Sequence, residues 1–251
     1  MTAVLRVEGL QKRFGGIVVA DDINLTIDRG EILGLIGPNG AGKTSLFNLV
    51  SGVLRPDAGA IYLNGAPINQ HSLFRRARLG VARTWQNMLL FRSMTVLENL
   101  LIAPRLYPGE SILRVTFARA RIRREEHAAR ERALAILDRM GLAHAADSMV
   151  VDLPFGQQKL IGLARTLMND GPLLLLDEPM AGVEGAAYET MQRVVRQEAA
   201  TRAVCVVEHN VSFIKDLCSR AVFMANGRIL QDGTVAELTA SAALTELYFG
   251  V

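Results

Sequence analysis

A glycine-rich run between an apolar strand and a helix restricts the fold of this chain more than any other feature. It matches the pattern G-x-x-x-x-G-K-[ST] and is called here the phosphate loop: Gly37, Pro38, Asn39, Gly40, Ala41, Gly42, Lys43 and Thr44. Residues 32–36 before it are apolar on both faces, as in a buried parallel strand, and residues 44–51 have helical spacing. A glycine-rich turn without a ligand is the alternative, but this strand–loop–helix context favours a site for nucleotide phosphates.

The phosphate loop carries side chains suited to a nucleotide and its metal ion. Its backbone N–H groups can surround phosphate oxygens, and the N-terminus of the following helix favours their negative charge. We expect Lys43 to reach the β- and γ-phosphates and Thr44 to bind Mg²⁺ through its hydroxyl. Ser45, the next residue, completes the set of loop positions predicted to bind ATP.

A second part of the site follows residues 173–176, an all-leucine run that predicts a buried strand. Ligands of open α/β sheets bind at the carboxyl ends of the strands, where Asp177 and Glu178 lie. We expect Asp177 to hold Mg²⁺, directly or through water. Glu178 is the candidate for polarising the attacking water, a role worth roughly 10²–10⁴-fold in rate. Taken alone the acidic pair also fits a helix N-cap before Pro179, but the upstream phosphate loop favours the catalytic interpretation.

Composition and charge exclude several other classes of protein. Half of the 251 residues are hydrophobic, so the chain can bury a sizeable core. The net charge is +3, and residues 114–132, the Arg-rich segment, hold seven Arg and three Glu, which leaves about −1 for the rest. Nucleic-acid-binding proteins carry a broader basic surface, so we expect no nucleic acid partner.

The sequence also lacks the usual marks of export, membrane spanning and metal-binding cysteines. It shows no signal peptide and no membrane-spanning apolar run. Cys205 and Cys218 have neither C-x-x-C nor metal-ligand spacing and lie in apolar surroundings. We expect them to be reduced core thiols of a cytoplasmic protein.

The order of predicted elements gives the fold class. Strands are expected at 4–7, 23–27, 32–36 and 60–63, and α/β alternation returns after residue 172. Between them lies a helix-rich stretch, in which Thr95 and Glu98 match a capping box. The prediction is an α/β protein, a P-loop NTPase (RecA-like) core with an antiparallel β-subdomain and an inserted α-helical subdomain. The core is predicted to comprise residues 1–88 and 161–251, and the helical subdomain residues 89–160.

A kinase or a small GTPase could share both halves of this site, so the class depends on what lies between them. The run at residues 153–159, called here the signature segment, is Leu153-Pro154-Phe155-Gly156-Gln157-Gln158-Lys159. It resembles the signature loop of the ABC ATPase family, and the resemblance extends over nearly the whole chain. It implies that Pro154, Gly156 and Gln157 face the γ-phosphate of an ATP held by a second subunit, in front of a helix expected at 160–168. A proline-initiated helix start is the plainer alternative.

Three further positions match residues of that family. Phe14 matches the aromatic that stacks on adenine, although a single Phe also suits a core. Gln86 matches the glutamine that senses Mg²⁺ and the γ-phosphate, and it opens the segment that touches the membrane subunits. His209, after the strand expected at 203–207, matches the switch histidine that contacts the γ-phosphate.

Two departures from the family pattern concern the second subunit's side of the site. The signature loop usually has Ser where this chain has Pro154, so one hydroxyl donor to the γ-phosphate is missing; a hydrogen bond to a charged group is worth roughly 1.5–3 kcal/mol. The loop after Glu178 usually has an Asp near the position of Glu184. Neither departure changes Lys43 or Asp177, so hydrolysis remains expected.

Several stretches resemble the ATPase subunits of branched-chain amino acid importers: residues 43–48, 82–87, 91–99, 156–159 and 247–250. The resemblance implies ATP and Mg²⁺ as ligands and a second ABC ATPase subunit, in a homo- or heterodimer. It also implies two transmembrane permease subunits and, indirectly, a periplasmic or extracellular substrate-binding protein. The chain is then peripheral, at the cytoplasmic face of the inner membrane. The substrate is a branched-chain amino acid or a related small amide or carboxylate.

Two other functions stay open at this point. One is a soluble ABC ATPase without a transport role, and the other is a nucleotide-binding regulatory module with little turnover. The Arg-rich segment likewise has two interpretations: a solvated helix face with Arg–Glu pairs, or a helix near acidic headgroups or an acidic loop of a membrane partner.

Overall fold

A computed structural model describes residues 3–85, 89–104, 119–209 and 211–240, which form two compact units. The first unit comprises Met1–Gln86, Gly171–Pro179 and Val195–Val251, and the second comprises Asn87–Asp170 and Met180–Val194. The division thus groups residues 161–170 and 180–194 with the helical part of the chain, whereas the sequence placed them with the core.

The described strands are β1 Ala3–Phe14, β2 Ile17–Asp28, β3 Ile32–Ile36, β4 Ala58–Leu63, β5 Ala66–Pro67, β6 Val81–Arg83, β7 Leu173–Asp177, β8 Ala203–Val207, β9 Arg220–Ala225 and β10 Arg228–Thr234. The described α-helices are α1 Lys43–Ser51, α2 Leu73–Leu79, α3 Val96–Leu101, α4 Arg119–Arg139, α5 Phe155–Leu167, α6 Ala186–Ala199, α7 Val211–Leu217 and α8 Val235–Ala240. Among these helices, none is both long enough and apolar enough to cross a membrane.

The first unit is built on a six-stranded sheet in the order β10-β9-β3-β8-β7-β6. The pairs β9–β3, β3–β8, β8–β7 and β7–β6 are parallel, and β9–β10 is an antiparallel hairpin. Every residue of β3, β7 and β8 is buried, as their unbroken apolar runs predict. The parallel register brings the carboxyl ends of these strands to one edge, where the chain continues into the phosphate loop, Glu178 and Glu208.

A four-stranded antiparallel sheet, β2-β1-β4-β5, shares the core of the first unit. The predicted strands at 4–7 and 23–27 are too short, because β1 and β2 each continue for 12 residues around the turn at Gly15 and Gly16. The polar residues Lys12 and Arg13 belong to β1 because they pair with β2, although the sequence there lacks the alternation of apolar and polar residues that predicts a strand. The predicted fold class, with its antiparallel β-subdomain, is confirmed.

A fully buried arginine fixes the far end of the phosphate-loop helix. Arg76, on α2, donates to the carbonyl oxygens of Leu49 at 2.6 Å and Val50 at 2.9 Å, near the C-terminus of α1. It also donates to the carbonyls of His71 and Asn69. Burial lowers the pKa of Arg76 to about 10. The carbonyl dipoles at the helix C-terminus attract a cation and so offset part of the free energy that burying the charge costs.

In the second unit, α3 has the predicted cap. The Thr95 hydroxyl accepts from the N–H of Glu98, and the Glu98 carboxylate accepts from the N–H of Thr95. On α4, Leu137 is fully buried and Leu134 is half-buried, and Met140, just after the helix end, is buried. Ala133 and Ile136 are buried on the same side of the helix as Leu137, because residues 133, 136, 137 and 140 follow one another at helical spacing.

The helix expected at 160–168 begins earlier, and that boundary was wrong. Helix α5 runs from Phe155 to Leu167, so residues 155–159 of the signature segment form its first turns instead of a loop before it. Pro154 is the N-cap and offers no side-chain acceptor. Proline fixes the backbone angle φ near helical values, which favours a helix start immediately after it.

The cysteines are core thiols, as predicted. Both interpretations of the Arg-rich segment stay predictions: residues 114–118 lie outside the described residues, and residues 119–132 belong to α4. Cys205 and Cys218 are free and buried, and burial raises the pKa of both thiols, that of Cys218 to about 12. On the exposed face of α4, Arg121 forms an i,i+4 ion pair with Glu125 at 2.7 Å. Such a pair stabilises a helix by only a few tenths of a kcal/mol.

Replacing Arg76 with Met should destabilise the protein by about 3 kcal/mol or more, because buried carbonyls lose their donor. The matched control is Arg75→Met on the exposed face of the same helix, expected to change the free energy of unfolding by less than about 0.5 kcal/mol. Urea denaturation of both variants measures the difference. Equal free energies of unfolding would show that Arg76 has no role in fixing α1.

Candidate nucleotide-binding site

Two glycines of the phosphate loop have no room for a side chain. A Cβ on Gly37 would lie 2.0 Å from the carbonyl oxygen of Met224, and one on Gly42 would lie 2.4 Å from that of Val19. Gly42 is also the N-cap of α1 at a φ of 101°, a conformation that L-residues rarely adopt. The loop therefore packs directly on β9 and β2, and its N–H groups lead into the N-terminus of α1.

The hairpin turn between β9 and β10 contacts the phosphate loop, and the sequence did not indicate this contact. The N–H of Gly227 donates to the carbonyl of Ala41 at 3.0 Å. The sequence gave no signal for this packing, because the two segments are far apart in the chain.

Lys43 lies inside the loop, with two carboxylates nearby. Its Nζ donates to the carbonyl oxygens of Gly37 at 2.6 Å and Pro38 at 2.9 Å. Burial lowers the pKa of Lys43, and the charges of Glu178 and Asp177 oppose that shift. The structure thus brings the phosphate loop and the acidic pair into one charged cluster, as the two motifs predicted.

The rim of the loop is open to solvent. Asn39, Gly40 and Thr44 are exposed, and Ser45 is half-buried. Phe14 is 47% exposed and belongs to the β1–β2 hairpin, whose Val19 carbonyl contacts the loop. An exposed aromatic ring, on a hairpin that packs against the phosphate loop, suits stacking on a base better than it suits a core.

Asp177 ends β7 and is almost fully buried, with 2% of its side chain exposed. Its Oδ2 accepts from Arg83 at 2.9 Å, and its N–H donates to the Thr84 hydroxyl at 2.9 Å. The described residues contain no group of three His, Cys, Asp or Glu side chains that could hold a metal ion. One carboxylate beside a phosphate loop fits Mg²⁺, which in nucleotide sites takes one or two carboxylates plus substrate phosphates.

Glu178 is held in an unusual conformation next to His209. Its φ is 48°, in the left-handed region, and its N–H donates to the carbonyl of Val207 at 2.9 Å. His209 Nε2 lies 2.9 Å from Glu178 Oε1. The pairing of Asp177 with Val207 explains this proximity, because Glu178 and His209 follow the ends of the adjacent strands β7 and β8 at the same level. Strained residues of this kind cost about 1–3 kcal/mol and cluster at active sites.

Gln86 lies outside the described residues. The residues just before it are described, and they include a site residue that sequence reasoning missed: Arg83, the partner of Asp177. A lone Arg at a strand end carries no pattern that marks it as buried.

The signature segment lies in the second unit. Gln158 donates the first intrahelical N–H bond of α5, to the carbonyl of Pro154 at 3.0 Å, so the N–H groups of Phe155, Gly156 and Gln157 precede it. A Cβ on Gly156 would lie 3.1 Å from Ala187, and one on Gly182 would lie 2.9 Å from the Phe155 ring. Because the N–H groups of Phe155, Gly156 and Gln157 lie before the first intrahelical bond, the N-terminus of α5 offers several donors of the kind that bind anions.

Comparison with known proteins agrees with this geometry. The family model described as ABC transporter matches residues 20–181. The high-affinity branched-chain amino acid transport ATP-binding protein BraF of Pseudomonas aeruginosa is 33% identical over 249 residues, covering 98% of each chain. The probable branched-chain amino acid transport ATP-binding protein LivG of Archaeoglobus fulgidus is 35% identical over 248 residues, covering 98% of this chain and 95% of the relative. The ADP conformation of an ATP-binding cassette of an ABC transporter superposes with a TM-score of 0.86 at 30% identity, covering all of both chains.

The fold and the clustered phosphate loop, Asp177 and Glu178 define a P-loop ATPase. The matches over nearly the whole chain show further that this protein belongs to the ABC transporter family of ATP-binding subunits. The predicted family and ATPase class are confirmed, whereas the roles of the individual site residues stay predictions.

Replacing Gly37 with Ala should lower the affinity for ATP at least tenfold, because the new Cβ would collide with the Met224 carbonyl and shift the loop. The matched control is Gly40→Ala, where a Cβ meets nothing within 4 Å and only the positive φ opposes the change. That strain costs roughly 1–2 kcal/mol. Titration with a fluorescent ATP analogue measures both affinities, and similar losses in the two variants would refute the steric argument.

Proposed function

We propose that this protein hydrolyses ATP to drive import through separate membrane subunits, and that its substrate is a branched-chain amino acid or a related small amide or carboxylate. The observation that carries the hydrolytic part is the cluster of Lys43, Asp177 and the Glu178–His209 pair at the carboxyl edge of one sheet. The proposed substrate class is supported by the names of the relatives. No described residue indicates it, because an ATPase subunit need not contact the transported molecule.

The phosphate loop and Lys43 hold the β- and γ-phosphates of ATP. Thr44 and Asp177 supply a hydroxyl and a carboxylate for Mg²⁺, with Gln86 as a further ligand by the family resemblance. A Mg²⁺ ion held there would supply positive charge to offset the negative charge that develops during transfer. Gly42 and Ser45 contribute loop and helix N–H groups, whereas the N–H of Ala41 donates to the Pro38 carbonyl at 3.2 Å. Phe14 stacks on the base.

Glu178 accepts a proton from the water whose oxygen attacks the γ-phosphorus, while the bond from that phosphorus to the bridging oxygen breaks. His209 lies within hydrogen-bond distance of the Glu178 carboxylate and holds it in position for this transfer. The left-handed backbone at Glu178 directs its side chain away from the path of a regular strand, toward Lys43 and His209.

The signature segment completes the site of a second ATPase subunit. The free N–H groups at the start of α5, with Gly156 and Gln157, are suited to the γ-phosphate held by that partner. Two subunits would then close head to tail around two MgATP, and hydrolysis would reopen the pair. Residues from Gln86 to about Asn99 would transmit this motion to two permease subunits. The chain would act at the cytoplasmic face of the inner membrane, with a substrate-binding protein as an indirect partner.

Replacing Glu178 with Gln should lower the rate of ATP hydrolysis by roughly 10²–10⁴-fold, because the amide cannot accept the proton of the attacking water. ATP affinity should stay within a few-fold of the parent. The matched control is Glu189→Gln at an exposed position of α6, which should hydrolyse ATP like the parent. Phosphate release and analogue binding measure the two quantities. A Glu178→Gln protein as fast as the parent would remove the general-base assignment.

The transport role predicts specific companions in native membranes. Affinity purification of the tagged chain from detergent extracts should recover two multi-spanning proteins and a second ATPase. The binding protein of the same system then identifies the substrate in a ligand-binding assay. Recovery of the chain with soluble partners alone would contradict import and favour a soluble ABC ATPase or a regulatory module.

A further inference from the structure

Arg83 is an enclosed cation that pairs with the proposed metal ligand Asp177. It ends β6, and only 5% of its side chain is exposed. Its guanidinium lies 4.5 Å from the centroid of the Trp85 ring and 5.5 Å from that of Phe47. Burial lowers the pKa of Arg83, and the neighbouring Asp177 charge opposes this shift. A buried ion pair of this kind is weak evidence of a role in stability alone, because desolvation offsets much of its attraction.

The hydrogen bonds of Arg83 join two elements that carry the proposed metal ligands. Its Nη2 donates to Asp177 Oδ2 at 2.9 Å, on β7. Its Nη1 donates to Asn48 Oδ1 at 2.7 Å and to Ser51 Oγ at 3.1 Å, both on α1. Asn48 and Ser51 follow Thr44 by four and seven residues, so all three lie on the same face of that helix. One guanidinium thus spans from the helix face of Thr44 to the carboxylate of Asp177.

The contact with Asp177 involves one carboxylate oxygen. A bidentate pair would engage both oxygens of the carboxylate, whereas here Arg83 binds Oδ2 and its Nε has no partner among the described residues. Oδ1 is therefore not taken up by the guanidinium. The arrangement orients the carboxylate and leaves an oxygen for a metal ion, as outer-shell partners of metal-ligating carboxylates do.

We propose that Arg83 is a positioning residue for Mg²⁺: it fixes the Asp177 carboxylate against the helix that carries Thr44, and so sets the affinity of the site for the ion. The inference rests on the proposed MgATP-dependent function. It assigns Arg83 no contact with nucleotide or water. Removing outer-shell partners of a metal site commonly costs 10–100-fold in metal affinity or activity.

The decisive variant is Arg83→Lys, which retains the positive charge but cannot span both elements with a planar fork. Because the charge is unchanged, electrostatic repulsion of Mg²⁺ stays constant and only the positioning is altered. The free Mg²⁺ concentration for half-maximal ATP hydrolysis should rise at least tenfold, and excess Mg²⁺ should restore the rate. Arg55→Lys, an exposed position after α1, is the matched control and should behave like the parent.

A binding measurement separates this role from a structural one. The affinity for a fluorescent ATP analogue is measured with EDTA and with Mg²⁺. In Arg83→Lys the affinity in EDTA should stay within about threefold of the parent, while the gain from Mg²⁺ should shrink about tenfold. If Arg83→Lys does not fold, the double variant Asn48→Ala, Ser51→Ala decides, because it removes both acceptors of the guanidinium on α1 but leaves the Arg83–Asp177 pair in place.

An unchanged Mg²⁺ gain in the folded variants would overturn the proposal. So would an equal loss of affinity in EDTA and in Mg²⁺, which would mark Arg83 as a brace of the phosphate loop only. Failure of the proposed function itself looks different, since the parent protein would then show no ATP binding or no response to Mg²⁺.

Discussion

The parallel pairing of β3, β7 and β8 is the constraint on which the site depends. Each strand is buried throughout, and the pairing aligns their carboxyl ends. A shift of one residue in β7 would turn the Asp177 side chain to the other face of the sheet. The registers of Leu35 with Val207 and Asp177 with Val207 therefore place the phosphate loop, the acidic pair and His209 at the same level.

Three buried cationic side chains hold helix α1 in place, each at a different part of the helix. Lys43 lies in its first turn and contacts the phosphate loop, Arg76 binds carbonyls near its C-terminus, and Arg83 binds its flank. Only Arg83 is paired with a carboxylate in this set, whereas Arg76 is held by carbonyl dipoles. The helix that presents Thr44 is thus fixed at both ends and on one side, which suits a site that must hold its geometry to a fraction of an ångström.

Local patterns were enough to predict the phosphate loop, the strand before Asp177, the capping box at Thr95 and the fold class, because each depends on residues close in sequence. What the sequence could not give depends on residues far apart in it. The enclosed Arg83 side chain, the buried Arg76, the packing of Gly227 against Ala41 and the left-handed backbone of Glu178 all arise from tertiary contacts. The start of α5 was placed too late because Gly156 and the glutamines lack apolar periodicity, while the proline before them initiates the helix.

The backbone of Glu178 implies a compromise between durability and catalysis. At a φ of 48° a glycine or an asparagine would relieve strain worth roughly 1–3 kcal/mol, so selection for a stable fold alone would not favour glutamate. A more heat-resistant protein is therefore readily obtained at this position, but with its chemistry lost. Screens of this family that reward thermal resistance without assaying turnover would enrich inactive chains.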